Sequence, residues 1–316
     1  MPSPSTSDLH LDVPLTNMMV AYFQDPKKFI SDKVFPICPV KKKSDLYYEF
    51  NKADWFRGDA KERAPGTESA GGGYGVANSN YACKTYAFHK DIADEERDNA
   101  DAILAPNKNA TRFVSTHLGI RREVNFINKF FSAGLWSGGD FTPGTLWDAA
   151  GSDPIGDVDD QKLVIEEATG YRPSVLVVGP LVHRELKHHP DVLDRIKYTQ
   201  RGQVTEEILA SLFEVDKYLV ARAVQNTAAK GQTASMSFMY GKHCLLAYAT
   251  DTPAIDVPSA GYTFAWKDFT KVNEVGAKVT NFRMEQLKSD RIEGELSYDQ
   301  KITAADLGKF FLDVIS

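Results

Sequence analysis

The stretch that most constrains this chain is residues 109–131, NATRFVSTHLGIRREVNFINKFF. Phe113, Ile120, Val124, Ile127 and Phe131, with His117 in the gap, recur at helical spacing and predict one long helix. Arg112, Arg121, Arg122, Glu123 and Lys129 are expected mostly on its other faces. Leu118, Phe126 and Phe130 lie off the main stripe, so a second face also needs cover. Asn109 is placed to cap the start, because its side-chain oxygen can accept from a free backbone N–H of the first turn. Gly134 stands just past the end, where a left-handed residue often closes a helix. At 1.5 Å per residue the rod would be roughly 35 Å long. That exceeds the usual globular helix and suits an elongated subunit better than a small domain.

The 316 residues suffice for a sizeable core and two lobes. A net charge of −6 argues against a general nucleic-acid binder, since neutralising phosphates takes a basic surface. The run Lys41-Lys42-Lys43 reads as a solvated strand end or loop. Cys38, Cys83 and Cys244 are odd in number, widely spaced and without C-x-x-C. They predict buried free thiols in a reducing cytosol, not a disulfide framework or a cysteine metal site. MPSPSTSDLH has no basic region followed by an apolar run, so no secretory signal is expected. No stretch approaches the apolar length that crosses a bilayer. The expectation is a soluble protein made in the cytoplasm, with no membrane partner.

Taken in order, residues 1–16 are Ser- and Pro-rich and read as an arm, followed by a short helix over 15–30 that Asp25-Pro26 breaks. Residues 34–40 hold two prolines and read as an extended connector, not a central strand. Residues 41–88 place Tyr47, Tyr48, Phe50, Trp55 and Phe56 in one strand-like arm and YACKTYAF in another. A Gly- and Pro-rich middle separates them, which predicts a long hairpin or flap. Such a flap is expected to bury little against its own chain, so its aromatics need a partner to cover them. Residues 89–101 are strongly charged and read as helical. Asp153-Pro154 starts a helix that stops at Gly170. From Arg172 the texture alternates: strand 175–178, helices opened by Pro180 and Pro190, a helix capped by Thr205, then strands over 218–224 and 244–248. This predicts a small α/β lobe over 172–270. Residues 291–298 alternate cleanly, with Ile292, Leu296 and Tyr298 on one face, and a last strand-like stretch covers 310–315. The fold class is α+β.

No motif assembles a catalytic or cofactor site. The glycines at 71–75 lack both G-x-G-x-x-G spacing and a following Lys-Ser or Lys-Thr. His183, Glu185, His188, His189, Asp191 and Asp194 are the densest group of metal-ligand types, but they lack H-E-x-x-H and any P-C-x-x-C. On one helix His183 and Lys187 share a face while His188 and His189 point apart, so the group does not visibly converge and reads as a polar helix surface. Asp159-Asp160 and Glu166-Glu167 read as solvated pairs, and there is no G-x-S-x-G elbow. The expectation is no enzyme, no cofactor and no metal.

Three runs go further: residues 86–136, YAFHKDIADEERDNADAILAPNKNATRFVSTHLGIRREVNFINKFFSAGLW; residues 168–202, ATGYRPSVLVVGPLVHRELKHHPDVLDRIKYTQRG; and residues 205–228, TEEILASLFEVDKYLVARAVQNTA. In order and length they resemble the major capsid proteins of tailed bacteriophages. The likeness covers about residues 80–250 well and the ends loosely. It implies the Hong Kong 97-type capsid fold. In that frame 1–40 is an N-terminal arm, 41–88 an extended loop, and 89–171 a peripheral domain with its spine helix at 109–131. Residues 172–270 form an axial domain, and 271–316 supply C-terminal strands completing the peripheral domain.

The implied function is self-assembly, as hexamers and pentamers, into an icosahedral virion shell around double-stranded DNA, which it contacts only loosely. Tyr47, Tyr48, Trp55 and Phe56 of the flap, and Asp194 and Arg195 of the lobe, are the expected intersubunit contacts. The short arm departs from members that carry a long N-terminal scaffolding segment. It implies a separate scaffolding protein or a mature form, with a portal protein and a decoration protein as further partners. An encapsulin-like compartment holding an enzyme cargo keeps the fold and changes the use. A metal hydrolase at 183–194 is the enzyme alternative.

Overall fold

The computed structural model describes residues 29–50, 52–98, 106–197, 204–253, 257–269 and 276–316. Its strands are β1 (Ile37–Val40), β2 (Ser44–Phe50), β3 (Val76–Ala82), β4 (Lys84–Ala93), β5 (Asp140–Phe141), β6 (Val175–Val178), β7 (Lys217–Val220), β8 (Val224–Asn226), β9 (Met236–Phe238), β10 (Cys244–Ala247), β11 (Gly261–Trp266), β12 (Ala277–Met284), β13 (Ser289–Ile302) and β14 (Gly308–Phe311).

β13 is the hub of the first sheet. Along one edge it pairs antiparallel with β4, from Ser289↔Ala93 to Tyr298↔Lys84. Along the other it pairs with β12 and then β11, and β11 carries β1 in parallel. β1 contains Pro39 and stays at the sheet edge, where a missing N–H costs no ladder bond. The alternation of β13 buries Ile292, Leu296 and Tyr298. Helix Pro106–Phe130 lies on that face, with Ala110, Val114 and Leu118 packed among Ile92, Val279, Ile292 and Leu296.

The second sheet runs β5-β14-β10-β6-β7. Every residue of β6, β10 and β14 is buried. Leu176 and Val178 face a layer of helices through Ile155, Val158, Val182, Leu186, Val192 and Leu209. Val175 and Val177 face the opposite way, into a cluster that contains Phe126 and Phe130 of the long helix. One helix of 25 residues, about 37 Å at 1.5 Å per residue, therefore joins the cores of both sheets.

Local signals read in the sequence hold here. Asp153 accepts from the Gly156 N–H at 2.8 Å, Pro154 sits in the first turn, and helix Pro154–Thr169 closes on left-handed Gly170. Thr205 accepts from the Ile208 N–H at 3.4 Å and caps helix Glu206–Leu212. All three cysteines are free; Cys83 and Cys244 are buried as expected, whereas Cys38 is only partly buried, and burial pushes the Cys83 thiol up to about 12.

Several expectations need correction. The core face of the long helix is Ala110, Val114, Leu118, Arg122, Phe126 and Phe130, at a strict spacing of four, and Glu123 is buried beside it. Phe113, the head of the expected stripe, is 47% exposed, and His117 is exposed beside it. The apolar count misses the true face because Ser115, Gly119, Arg122 and Glu123 interrupt it. The helix starts at Pro106, not at an Asn109 cap, because proline presets φ for a first turn. Gly134 has φ +75°, as expected, but lies in the loop, with its N–H donated to Asp140 at 3.0 Å.

Residues 89–93 are strand, and of the described residues of that stretch Asp94–Asp98 are helical, because Ile92 completes the core under the long helix. The boundaries drawn at 88, 171 and 270 do not follow the sheets. β4 belongs to the first sheet from Lys84. β11, inside the expected lobe, pairs with β13, while β14 and β5 pair in the second sheet. Short apolar strands do not state which sheet they complete. The arm and the helix expected over 15–30 lie outside the described residues except for Phe29 and Ile30, which precede helix Ser31–Val34.

Candidate functional site

The flap expected over 41–88 is the hairpin β2–β3, with Ser44 opposite Ala82 and Phe50 opposite Val76. Alternation along the strands divides its aromatics. Tyr47 is half-buried, 5.7 Å from Phe264 between ring centroids, with the Lys301 ammonium 5.5 Å from its ring. Tyr81 stacks on the same Phe264 at 4.7 Å, and burial raises both phenols. The flap root is thus docked on its own chain, which corrects the expectation that it buries little there. Tyr47 serves that root.

Beyond the root the picture changes. Tyr48 is 72% exposed, Trp55 63%, Phe56 66% and Tyr74 60%. Helix Lys52–Trp55 crosses the end of the hairpin, and Asp54 accepts from the Gly75 N–H at 3.0 Å. Trp55 and Tyr74 meet at 5.4 Å. Residues 57–75 have no strand or helix and are exposed throughout. Tyr48, Trp55 and Phe56 are therefore exposed large side chains of the flap beyond its root, together with Tyr74.

A second feature went unread in the sequence. Glu123, fully buried in the long helix, accepts from the backbone N–H groups of Ile30 at 2.5 Å and Ser31 at 3.0 Å, and from the Tyr240 hydroxyl. Burial raises its carboxyl above the usual range, opposed by these donors. Beside it buried Arg122 pairs with Asp32 at 2.5 Å and stacks on Tyr298 at 5.3 Å. At Gly119 an added methyl would come within 2.8 Å of the Phe29 ring, which would have to shift for the segment to cross the helix there. Residues 29–35 are in this way fixed on the long helix. Charged residues on a helix face otherwise read as solvated, so no sequence signal marked the pair.

Asp194 and Arg195 are exposed on helix Pro190–Ile196 and line a cavity of about 780 Å³, together with Trp147, Asp148, Ser152 and Glu185. They sit on a different element from the flap residues. His183 lies 3.0 Å from the Tyr218 hydroxyl, and burial lowers its pKa to about 4. His189 accepts from the Asp191 N–H at 3.3 Å through Nδ1, so its Nε2–H faces Ser152 Oγ at 2.9 Å. Both imidazoles have polar partners. Among the described residues no three His, Cys, Asp or Glu side chains gather as metal ligands, and no helix is long and apolar enough to cross a membrane.

No protein-family model matches the chain. Two curated relatives span it almost end to end. The major capsid protein of Burkholderia phage BcepMu is 26% identical over 94% of both chains. That of Pseudomonas phage JBD67 is 23% identical over 99% of both. The chain is a relative of phage major capsid proteins.

Solved structures share the fold of this chain. A phage-related protein from Bordetella bronchiseptica RB50 superposes with a TM-score of 0.72 at 21% identity, covering 97% of this chain and 98% of that one. The capsid of cyanophage P-SCSP1u gives 0.59 at 12% identity over 90% and 88%. The SrpI encapsulin complex of Synechococcus elongatus PCC 7942 gives 0.52 at 10% over 90% of both.

Proposed function

We propose that this chain is the major capsid protein of a tailed phage, of the Hong Kong 97 type, and that its copies assemble as hexamers and pentamers into an icosahedral shell around double-stranded DNA. The observation that carries this reading is its colinear likeness, along nearly the whole length, to two curated major capsid proteins. The exposed flap tip gives it a physical basis. A large aromatic buries on the order of 150–250 Å² when covered, so a neighbour supplying the second wall gains substantial apolar burial. In the shell, Tyr48, Trp55 and Phe56 pack on an adjacent subunit. The first sheet with the long helix forms the peripheral domain, and the second sheet forms the axial domain. Asp194 and Arg195 take part in the cyclic ring contact. A separate scaffolding protein, a portal and a decoration protein are the further partners. The net charge of −6 keeps the packaged DNA loosely held.

Electron microscopy of the expressed chain, with and without a scaffolding protein, tests this: closed shells are expected, and monomers under both conditions would refute it. Replacing Asp194 and Arg195 with alanine should impair rings more than subunit folding. Purified subunits should bind duplex DNA no more tightly than micromolar at physiological salt.

An encapsulin-like shell remains the second reading, supported by the fold shared with SrpI encapsulin. Genes beside the coding sequence separate the two: terminase and portal for a capsid, a cargo enzyme for a compartment.

A further inference from the structure

Among the described residues, Lys52 and Phe56 tie the flap, beyond its docked root, to the rest of its own chain. Lys52, in the helix at the end of the hairpin, pairs with Asp306 in the turn before β14. The same carboxylate accepts from the Ser137 hydroxyl, and Lys52 first and Ser137 second hold it below the usual carboxylate range. Four residues on, the Phe56 ring lies over Gly170, where an added methyl would stand 3.4 Å from it. Gly170 is the left-handed close of helix Pro154–Thr169. Both seats therefore belong to elements that pack against each other in the second lobe, since that helix meets the turn Ala305–Leu307. Lys52 is exposed, Asp306 is partly so, and Phe56 keeps most of its surface in water. Exposed ion pairs of this kind are weak. A weak contact holding an apolar tip has the character of a parking position.

We infer that Lys52 on Asp306 and Phe56 on Gly170 form a latch that parks the flap on its own subunit, and that a second copy of this chain displaces the flap from it during assembly. The inference rests on the reading of the chain as a shell subunit. The latch itself is a property of the unassembled subunit and is tested there. Its charges can be exchanged without touching a core residue.

Amide hydrogen exchange on unassembled subunits follows residues 52–56 and Gly75, whose N–H is held by Asp54. Lys52→Glu and Asp306→Lys should each speed exchange by about two- to fivefold, the range one exposed ion pair supports. The charge-swapped double variant should restore wild-type exchange, and Phe56→Ala should loosen the same segment. Single variants with wild-type exchange, or a double variant that is not restored, would overturn the latch. A 1:1 mixture of the two single variants should stay unprotected at any concentration. Recovery of protection on mixing would overturn the within-subunit assignment, because it would place Lys52 on a neighbour's Asp306. A normal latch in a chain that forms no shells would instead refute the capsid reading alone.

Discussion

In the second sheet, β6, β10 and β14 bury all of their residues between the helical layer on one side and the long helix on the other. In the flap, the hairpin buries Tyr81 and half of Tyr47 at its root but leaves Tyr48, Trp55 and Phe56 in water. The sheet finds both of its walls within one chain, whereas the flap is docked at its root on Phe264 and its tip stays largely exposed. Apolar side chains are therefore used in two ways. In the lobe they are buried within the subunit, and beyond the flap root they stay exposed, where the proposed function has them associate.

The comparison predicts opposite responses to truncation. Leu246→Ala in β10 removes a fully buried side chain and should lower unfolding free energy by about 2–5 kcal/mol in urea titration. A loss below 1 kcal/mol would mean that the lobe is not the stabilising unit. Removal of Glu123 as Glu123→Ala leaves buried donors of Ile30, Ser31 and Tyr240 without their acceptor. It should cost about 1–3 kcal/mol and free the segment 29–35 to protease.

A pH dependence of similar or smaller size resides in the lobe. The folded pKa of His183 is lowered from 6.5 to about 4 by burial, with the Arg222 and Lys187 charges adding to it. Below pH 6.5 the unfolded chain takes up a proton that the folded chain refuses until about pH 4. Stability from this group is therefore intact above 6.5 and declines as the pH falls through that window. The decline should be on the order of 1–3 kcal/mol. His183→Gln should flatten the difference between urea midpoints at pH 7 and pH 4.5, and an unchanged slope would contradict the assignment.

The smallest stability effects belong to the flap. Trp55→Ala or Tyr48→Ala should stay within about 0.5 kcal/mol of wild type in the subunit and still reduce shell yield. Deletion of residues 58–75 should likewise leave a folded subunit that assembles poorly. Unfolding of either variant would erase the distinction between the two regions.

How much of this was legible follows from where each signal resides. The caps at Asp153 and Thr205, the close at Gly170 and the buried run Val175–Val178 are local, and the sequence states them directly. The flap was legible from alternation and glycine content, but the division between Tyr47 and Tyr48 was not, because their inward side is defined by Phe264, more than two hundred residues away. The core face of the long helix was misread because Arg122 and Glu123 are buried by partners on distant segments, Asp32, Tyr298 and Tyr240. Sheet membership of β11 and β14 depends on pairing across the chain in the same way. For the candidate site, Tyr48, Trp55, Phe56, Asp194 and Arg195 are exposed, whereas Lys52–Asp306 and Phe56–Gly170 had no sequence signal at all.

The central claim is that the flap tip is completed by a neighbour. Hydrogen exchange across residues 57–75, compared between unassembled subunits and assembled shells, tests it most directly. The account predicts near-unprotected amides over 57–74 in the subunit, Gly75 being held by Asp54, and strong protection in the shell. Strong protection already in the subunit, or none in the shell, would contradict it.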